Sequence, residues 1–370
     1  MNIALIINNY NYQGGGQVTA NLAEHLQSLG HSVDIVVIRC REGDAKSRPN
    51  HFLNILDLHA SGLFSSVFKL TKIFRNSRYD ACISIGANSN LFAGLAKFLS
   101  RSSIRIIGSE HFAKSVLIGD YAKPIMRLSL PLFRLAYAQL NGLVFVSERL
   151  REEFLIKNSW HSSRCVKIFN PIRSVKKKVK GLVKHENFSG VTFLGVGVLE
   201  SRKRWDLLLE AFSIVANSND KLLFAGTGQL KDELESLAVE LGVESQVCFL
   251  GYVDKIDSLM RKSDVLVLTS DSEAFGMVLA EGLAVGLQVV STNSFSGPAE
   301  VLGNGRYGFL AEVDSVDSIA SAMRSAITSP IPLEVINEGA SRFSVDYAVN
   351  NYLEFITAVI ASDGGLNDAI

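Results

Sequence analysis

The chain has 370 residues, a length for two domains of roughly 150 to 200 residues each, and with 47% hydrophobic and 20% charged residues it is neither a disordered nor a fibrous protein. Its 37 Lys and Arg balance 37 Asp and Glu, yet residues 1–172 hold 20 basic against 11 acidic side chains and residues 173–370 hold 17 against 26. Such opposite halves either attract one another or turn the basic half toward an anionic partner, a phospholipid surface, a lipid-diphosphate acceptor or an acidic glycan.

The N-terminal segment MNIALIINNYNYQGGG has neither the basic region nor the cleavage site of a signal peptide, and residues 3–7 read as a first strand. Gly14-Gly15-Gly16 follows, and Val18, Leu22, Leu26 and Leu29 then recur at helical spacing until Gly30 ends the helix. Strands at 33–38, 81–85, 104–108 and 143–146 complete one Rossmann-like half. The most apolar long stretch, residues 128–146, contains Pro131, Arg134 and Asn141 and makes a poor membrane span. From Asn170-Pro171 to about residue 190 the pattern breaks, and Lys176, Lys177, Lys178, Lys180 and Lys184 crowd into a segment that is either a solvated linker or a phosphate or membrane contact. Alternation restarts with a strand at 191–196, a polar turn, and a helix with Trp205, Leu208, Leu209, Phe212 and Val215 on one face. Strands at 222–224, 247–249, 265–268 and 288–290 form a second sheet, and a last helix at about 345–361, carrying Tyr352, Phe355, Ile356 and Val359, is expected to brace the two halves. Cys40, Cys82, Cys165 and Cys248 lie far apart without C-x-x-C spacing, so neither zinc nor disulfides are expected and reduced thiols point to the cytoplasm.

In open parallel sheets ligands bind beyond the carboxyl ends of the strands, so the loops there carry the chemistry. Gly15 and Gly16 either offer backbone N–H groups to an anion at a helix N-terminus or serve only a tight connection. The run is not G-x-G-x-x-G, which argues against a dinucleotide-dependent dehydrogenase, and no G-x-x-x-x-G-K-[ST] stretch occurs. Ser109-Glu110-His111 follows the strand expected to end at Gly108; a neutral imidazole there would hydrogen-bond a sugar hydroxyl or phosphate, while a lone His is also commonly structural. Arg202-Lys203-Arg204 precedes a helix and is either a clamp for phosphate oxygens or exposed charge. In the segment from Ser270 to Gly282 the helix should begin near Gly276, leaving Glu273 in the loop and Glu281 in the second turn. At 1.5 Å per residue these carboxylates lie about 12 Å apart, too far for an acid/base pair. That span suits an extended ligand, its diphosphate held between them by the N–H groups of Phe275, Gly276, Met277 and Val278.

In this order, Gly14-Gly15-Gly16, Glu110-His111, Val146-Ser147-Glu148, Asn170-Pro171, Lys203, Gly226-Thr227-Gly228, Phe249-Leu250-Gly251-Tyr252-Val253, the E-x7-E pair Glu273 and Glu281, and Ser296-Gly297-Pro298-Ala299-Glu300-Val301 resemble the large retaining glycosyltransferase family 4. The likeness covers nearly the whole chain and points to members acting in bacterial surface polysaccharide synthesis. It implies an α/β, GT-B fold of two facing Rossmann-like domains with mostly parallel sheets. Residues 1–172 would be the acceptor-side domain, 173–190 the linker, 191–344 the donor-binding domain and 345–370 the bracing helix. By the same resemblance Lys203, with Arg202 beside it, binds the donor diphosphate, Glu281 the ribose hydroxyls, Glu273 the transferred sugar, and backbone around Val253 the base. Gly15 and Gly16 approach the diphosphate, and His111 lies near sugar and acceptor, so that Glu273, His111 and Lys203 are the expected catalytic residues.

Such enzymes retain the anomeric configuration, the leaving diphosphate helps to deprotonate the acceptor, and neither a metal nor a cofactor is expected beyond the nucleotide-sugar substrate, a UDP-sugar in the first place and a GDP-sugar as the alternative. The absence of a D-x-D motif agrees. The chain departs from the pattern at Val198, where many members carry Arg; Arg202 and Arg204 are the cations available to replace it. The implied partners are a nucleotide sugar and a lipid-linked or oligosaccharide acceptor, with peripheral contact of the basic half on the inner face of the membrane and no nucleic acid. The competing readings are a sugar-nucleotide-binding protein without transfer activity and a sugar-nucleotide epimerase of similar architecture.

Overall fold

Apolar runs of four to six residues become parallel strands when helices cover both faces of the sheet they enter. The computed structural model, which describes residues 1–10, 14–39, 53–76, 79–111, 130–158, 160–173 and 190–362, arranges these runs in two units, Met1–Arg173 with Ser344–Ile370 and Ser174–Phe343. The lysine run at 176–184 and Cys40 lie outside the described residues.

The first unit contains β1 (Asn2–Ile7), β2 (Ser32–Val37), β3 (Asn54–Asp57), β4 (Ala81–Ile85), β5 (Arg105–Glu110), β6 (Gly142–Phe145) and β7 (Cys165–Lys167). They form one parallel sheet in the order β3-β2-β1-β4-β5-β6-β7. Its helices are α1 (Gly15–Ser28), α2 (Leu63–Asn76), α3 (Ala87–Ser100), α4 (Leu130–Ala138) and α5 (Glu148–Lys157). The central strands β1 and β4 are buried almost without exception, which is why they read as unbroken apolar runs. The strand order reverses between β1 and β4, so right-handed crossovers place α1 on one face and the packed row α2, α3, α4 on the other.

The second unit contains β8 (Thr192–Val196), β9 (Lys221–Ala225), β10 (Val247–Gly251), β11 (Val265–Leu268), β12 (Ser272–Glu273), β13 (Gln288–Thr292), β14 (Phe295–Ser296) and β15 (Phe309–Ala311). Six of these make a parallel sheet in the order β10-β9-β8-β11-β13-β15, while β12 and β14 pair separately as a two-stranded parallel ribbon. Its helices are α6 (Trp205–Val215), α7 (Lys231–Glu240), α8 (Ile256–Lys262), α9 (Met277–Val285), α10 (Gly297–Val301), α11 (Val316–Thr328) and α12 (Leu333–Ser341).

The last helix, α13 (Val345–Ala361), is read from sequence as a brace between the halves, but it is a member of the first unit. It packs on α1 and β5. Ser344 caps it by accepting from the Tyr347 N–H at 3.2 Å, and a parallel bridge joins Ile172 to Ser344. Gly142 has room for Phe355 only because it lacks a side chain: a Cβ there would stand 2.6 Å from the Phe355 ring. Strands β3, β7 and β15 are absent from the sequence reading because they are short, partly buried edge strands, unlike the fully buried β6 and β11. Among the described residues no helix is long and apolar enough to cross a membrane.

Candidate functional site

In the second unit the strand order reverses between β8 and β11, and the loops leaving their carboxyl ends flank the crevice that a doubly wound sheet offers to a ligand. From β8 the chain runs through a short helical turn, Ser201–Lys203, and Arg204 in the left-handed region (φ 49°) before entering α6. From β11 it runs through Thr269 and Ser270 to β12, then through Gly276 (φ 83°), the N-cap of α9. The two loops are stitched together. The buried Thr269 hydroxyl donates to the Lys203 and Arg204 carbonyls at 2.9 and 2.8 Å, the Asp271 N–H donates to the Arg202 carbonyl at 3.0 Å, and Arg202 Nη1 donates to the Ser272 carbonyl at 2.8 Å. On the other side Thr292 Oγ1 donates to the Ser270 carbonyl at 2.7 Å, and β14 pairs Glu273 with Ser296.

This scaffold fixes the carboxylate of Glu273. Its Oε1 accepts from Lys203 Nζ at 2.5 Å, from Ser270 Oγ at 2.9 Å and from Arg202 Nη1 at 3.3 Å. The Lys203 and Glu273 side chains are only 12% and 13% exposed, so the pair is poorly screened by water. Arg202 also reaches Glu200 through Nη2 at 2.9 Å. Arg204 turns away to Asp206, Asp271 and Asp314. Of the three cations singled out in the sequence, Arg202 and Lys203 meet at Glu273, while Arg204 pairs with acidic residues of the loops. Val198 is half exposed, and the second cation beside Glu273 is Arg202.

The loop after β9 forms a wall of this crevice. A Cβ on Gly226 would lie 1.8 Å from the Gly197 carbonyl oxygen, and one on Gly228 would lie 2.2 Å from that of Leu199, so only glycine lets the β8 and β9 loops lie flush. The Leu199 N–H donates to the Thr227 carbonyl at 3.0 Å across the seam. Phe275 is buried and Gly276, Met277 and Val278 open α9, whose first turn holds no acidic side chain to offset the positive end of the helix dipole. A Cβ on Gly297 would come within 2.4 Å of Phe275 Cα, so the start of α10 is pressed against the backbone that follows Glu273. Glu281 sits half-buried in the second turn of α9, and Val253 is half-buried just beyond β10.

In the first unit the reversal falls between β1 and β4. Gly14 is left-handed (φ 50°) as the N-cap of α1, which Gly15 and Gly16 begin. Strand β5 extends to Glu110, two residues beyond the expected end, so Ser109 and Glu110 lie in the sheet rather than in a loop. Glu110 is turned inward: its Oε1 accepts from Asn90 Nδ2 at 2.8 Å and from the Tyr137 hydroxyl, and Asn90 Oδ1 in turn accepts from Ser84 Oγ. Burial, and next the charge of Glu110, push the Tyr137 phenol well above its ordinary value. His111 stands at the strand end, its Nε2 2.9 Å from Ser109 Oγ, which lies 3.1 Å from the Tyr352 hydroxyl of α13. Desolvation pushes the imidazole down to about 4, so it is neutral at physiological pH. The sequence reading gave no site role to Ser270, Thr269, Thr292, Glu200 or Tyr352; for Thr269 and Ser270, small hydroxyl residues directly after the apolar strand β11 were the available signal. Among the described residues no group of three or more His, Cys, Asp and Glu is placed to hold a metal ion.

Residues 12–173 match the family model Glycosyltransferase Family 4, and residues 182–343 match the model Glycosyl transferases group 1. The chain is 23% identical over 377 residues, 97% of its own length and 99% of the relative's, to the Campylobacter jejuni GalNAc-alpha-(1->4)-GalNAc-alpha-(1->3)-diNAcBac-PP-undecaprenol alpha-1,4-N-acetyl-D-galactosaminyltransferase. Among solved structures, the apo form of the lipopolysaccharide outer core galactosyltransferase WaaB shares the fold with a TM-score of 0.77 at 18% identity, over 97% of this chain and 99% of that one. Anabaena HepE in complex with UDP-glucose does so with a TM-score of 0.78 at 16% identity, over 97% of this chain and 100% of that one. Two doubly wound units, each matched by its own glycosyltransferase model, place the chain in glycosyltransferase family 4 with the GT-B fold.

Proposed function

We propose that this glycosyltransferase moves a sugar from a UDP-sugar to a lipid-linked or oligosaccharide acceptor in cell-surface polysaccharide synthesis, with retention of anomeric configuration and without a metal ion. The names of the relatives support the coarser part: one acts on an undecaprenol-diphosphate-linked glycan and one on lipopolysaccharide, and a third holds UDP-glucose. The observation that carries the reading is the Lys203–Glu273 pair at 2.5 Å, held at the strand-order reversal of the second unit.

The chemistry follows from that pair. When the bond from the anomeric carbon to the β-phosphate oxygen breaks, its electron pair stays on the diphosphate, and negative charge grows there. Lys203, Arg202 and the N-terminus of α9 stabilise this charge more in the transition state than in the ground state, because they are positioned before the reaction starts. The acceptor hydroxyl attacks from the face the diphosphate leaves and passes its proton to the departing phosphate oxygen. Glu273, oriented by three donors on Oε1, accepts a hydrogen bond from the transferred sugar, Glu281 from the ribose, and backbone at Val253 meets the base. In the first unit the neutral His111 is suited to a hydroxyl, and the N–H groups of Gly15 and Gly16 to a phosphate oxygen.

The test is a thermal-shift series with UDP, GDP, ADP and their sugar conjugates, with and without EDTA, followed by NMR of the product anomer. A UDP-specific, EDTA-insensitive shift and an axial-to-axial outcome are expected. Lys203→Ala should cut turnover at least tenfold, about 1.4 kcal/mol of barrier; unchanged turnover removes Lys203 from the reaction. A shift without any product would favour a binding protein, and an isomerised donor formed without acceptor would favour an epimerase.

A further inference from the structure

Helix α13 buries a single stripe, Ala348, Val349, Tyr352, Ile356 and Val359, as an amphipathic helix should. The one polar atom that the side chains of this stripe carry, the Tyr352 hydroxyl, meets strand β5 at Ser109 Oγ, 3.1 Å away. Ser109 and His111 stand two residues apart at the strand end, a spacing that turns both side chains to the same side of an extended chain. His111 Nε2 accordingly lies 2.9 Å from Ser109 Oγ. Three polar groups thus stand in line, from the helix through the strand to the imidazole. Ser109 and Tyr352 are 0% and 2% exposed, so their hydroxyl protons are placed on protein atoms and not on bulk water.

Only one order of donors satisfies this line. Among the described residues the Tyr352 hydroxyl has Ser109 Oγ as its one hydrogen-bond partner. If the phenol accepted from Ser109, its own proton would be buried without an acceptor, which costs more than a hydrogen bond contributes. Tyr352 therefore donates to Ser109, and the Ser109 proton goes to the acceptor left in reach, His111 Nε2. Burial keeps this imidazole neutral at physiological pH, and a neutral ring whose Nε2 accepts carries its proton on Nδ1. We propose that Ser109, oriented by Tyr352, is a positioning residue that holds the His111 proton on Nδ1, so that the ring meets the sugar or the acceptor as a hydrogen-bond donor and not as a base. This role rests on the transfer reaction proposed above, in which His111 serves the sugar or the acceptor. An Nδ1–H matches a lone pair, that of a sugar hydroxyl, an N-acetyl carbonyl or a phosphate oxygen. It has no lone pair with which to take the proton of an attacking hydroxyl, which leaves that proton to the departing diphosphate.

Long-range proton–nitrogen correlation NMR of the full chain, isotopically labelled at histidine, reads the tautomer directly, because protonated and bare ring nitrogens resonate far apart. The chain has seven histidines, and the His111 signals are those missing from the spectrum of His111→Gln. The expected wild-type spectrum at neutral pH shows His111 with a protonated Nδ1 and a bare Nε2. Ser109→Ala should bring up the Nε2–H form and lower kcat/KM for the donor about five- to tenfold, the effect of one correctly oriented hydrogen bond. Ser109→Thr, which keeps the hydroxyl, should restore both. Tyr352→Phe should give a mixture of the two tautomers, because Ser109 Oγ is then free to accept from the ring. A wild-type His111 protonated on Nε2 would overturn the proposal, and that spectrum decides even where a variant does not fold. A folded Ser109→Ala protein with the wild-type tautomer, or with an altered tautomer and wild-type kcat/KM, would overturn it as well. The spectra need neither donor nor acceptor, whereas the transfer reaction itself fails on the absence of a UDP response and of product, so the two failures are told apart.

Discussion

At Arg202 and Arg204, two residues of the same type and two positions apart, the fold assigns opposite tasks. Arg202 places a guanidinium nitrogen 3.3 Å from Glu273 Oε1, whereas Arg204 adopts the left-handed conformation and spends its donors on Asp206, Asp271 and Asp314. A cation held by three carboxylates contributes little to a new anion, while Arg202, shared between Glu200 and Glu273 and adjoining Lys203 on the Glu273 carboxylate, is better placed to meet a phosphate. Arg202→Ala should therefore lower turnover about five- to tenfold, and Arg204→Ala should leave it within about twofold, by the relation of about 1.4 kcal/mol to each factor of ten. Steady-state kinetics of the two variants decides this, and equal losses would mean that the loop acts only as a unit. Val198, in the same loop, is half exposed, and the cation that joins Lys203 at Glu273 is Arg202.

Strand β5 and helix α13 form the element pair on which the first unit's polar end depends. The strand ends in Ser109 and Glu110, with His111 directly after it, and the alternation of a strand sends neighbouring side chains to opposite faces. Glu110 thus enters the network with Asn90 and Tyr137, while Ser109 meets His111 on one side and Tyr352 of α13 on the other. The imidazole, pushed by desolvation from its ordinary 6.5 to about 4 in the fold, takes up its proton in the unfolded chain first. Its contribution to stability is complete above about pH 6.5 and is lost as the pH falls from there toward about 4. Denaturant unfolding at pH 7.5 and pH 5.0 should show a larger loss for wild type than for His111→Gln. An identical loss in both would mean that other groups carry the acid sensitivity.

The whole molecule is two cores in one chain, and the first is assembled from both ends of the sequence, since residues from Ser344 onward rejoin the unit that begins at Met1. The proposed donor site, at Lys203 and Glu273, lies wholly within the second unit. Scanning calorimetry resolves the assignment: UDP should raise the transition of the second unit, by about 2.7 kcal/mol at a hundredfold excess over its dissociation constant. A response confined to the first unit's transition would refute donor binding at Lys203 and Glu273. The net charge of zero conceals this division, because the basic excess of residues 1–172 is matched by the acidic excess of the remainder.

The alternation of apolar runs with helical periods by itself determined the class of fold, and the periodicity of residues 345–361 placed α13 correctly. The stretch from Ser270 to Gly282 likewise placed the start of α9 at Gly276 and Glu281 in its second turn. These features are encoded in residues close together in the chain, where backbone preference and amphipathic spacing act. Tertiary structure alone decided that Glu110 is buried, that Arg204 turns away from Glu273, and that Gly226 is glycine because its neighbour is the carbonyl of Gly197. It also decided which unit receives α13 and left Phe64 and Phe68 bare. Each of these outcomes depends on a polar partner, a steric limit or an uncovered face supplied by residues distant in sequence, and only the folded chain brings such residues to the same place.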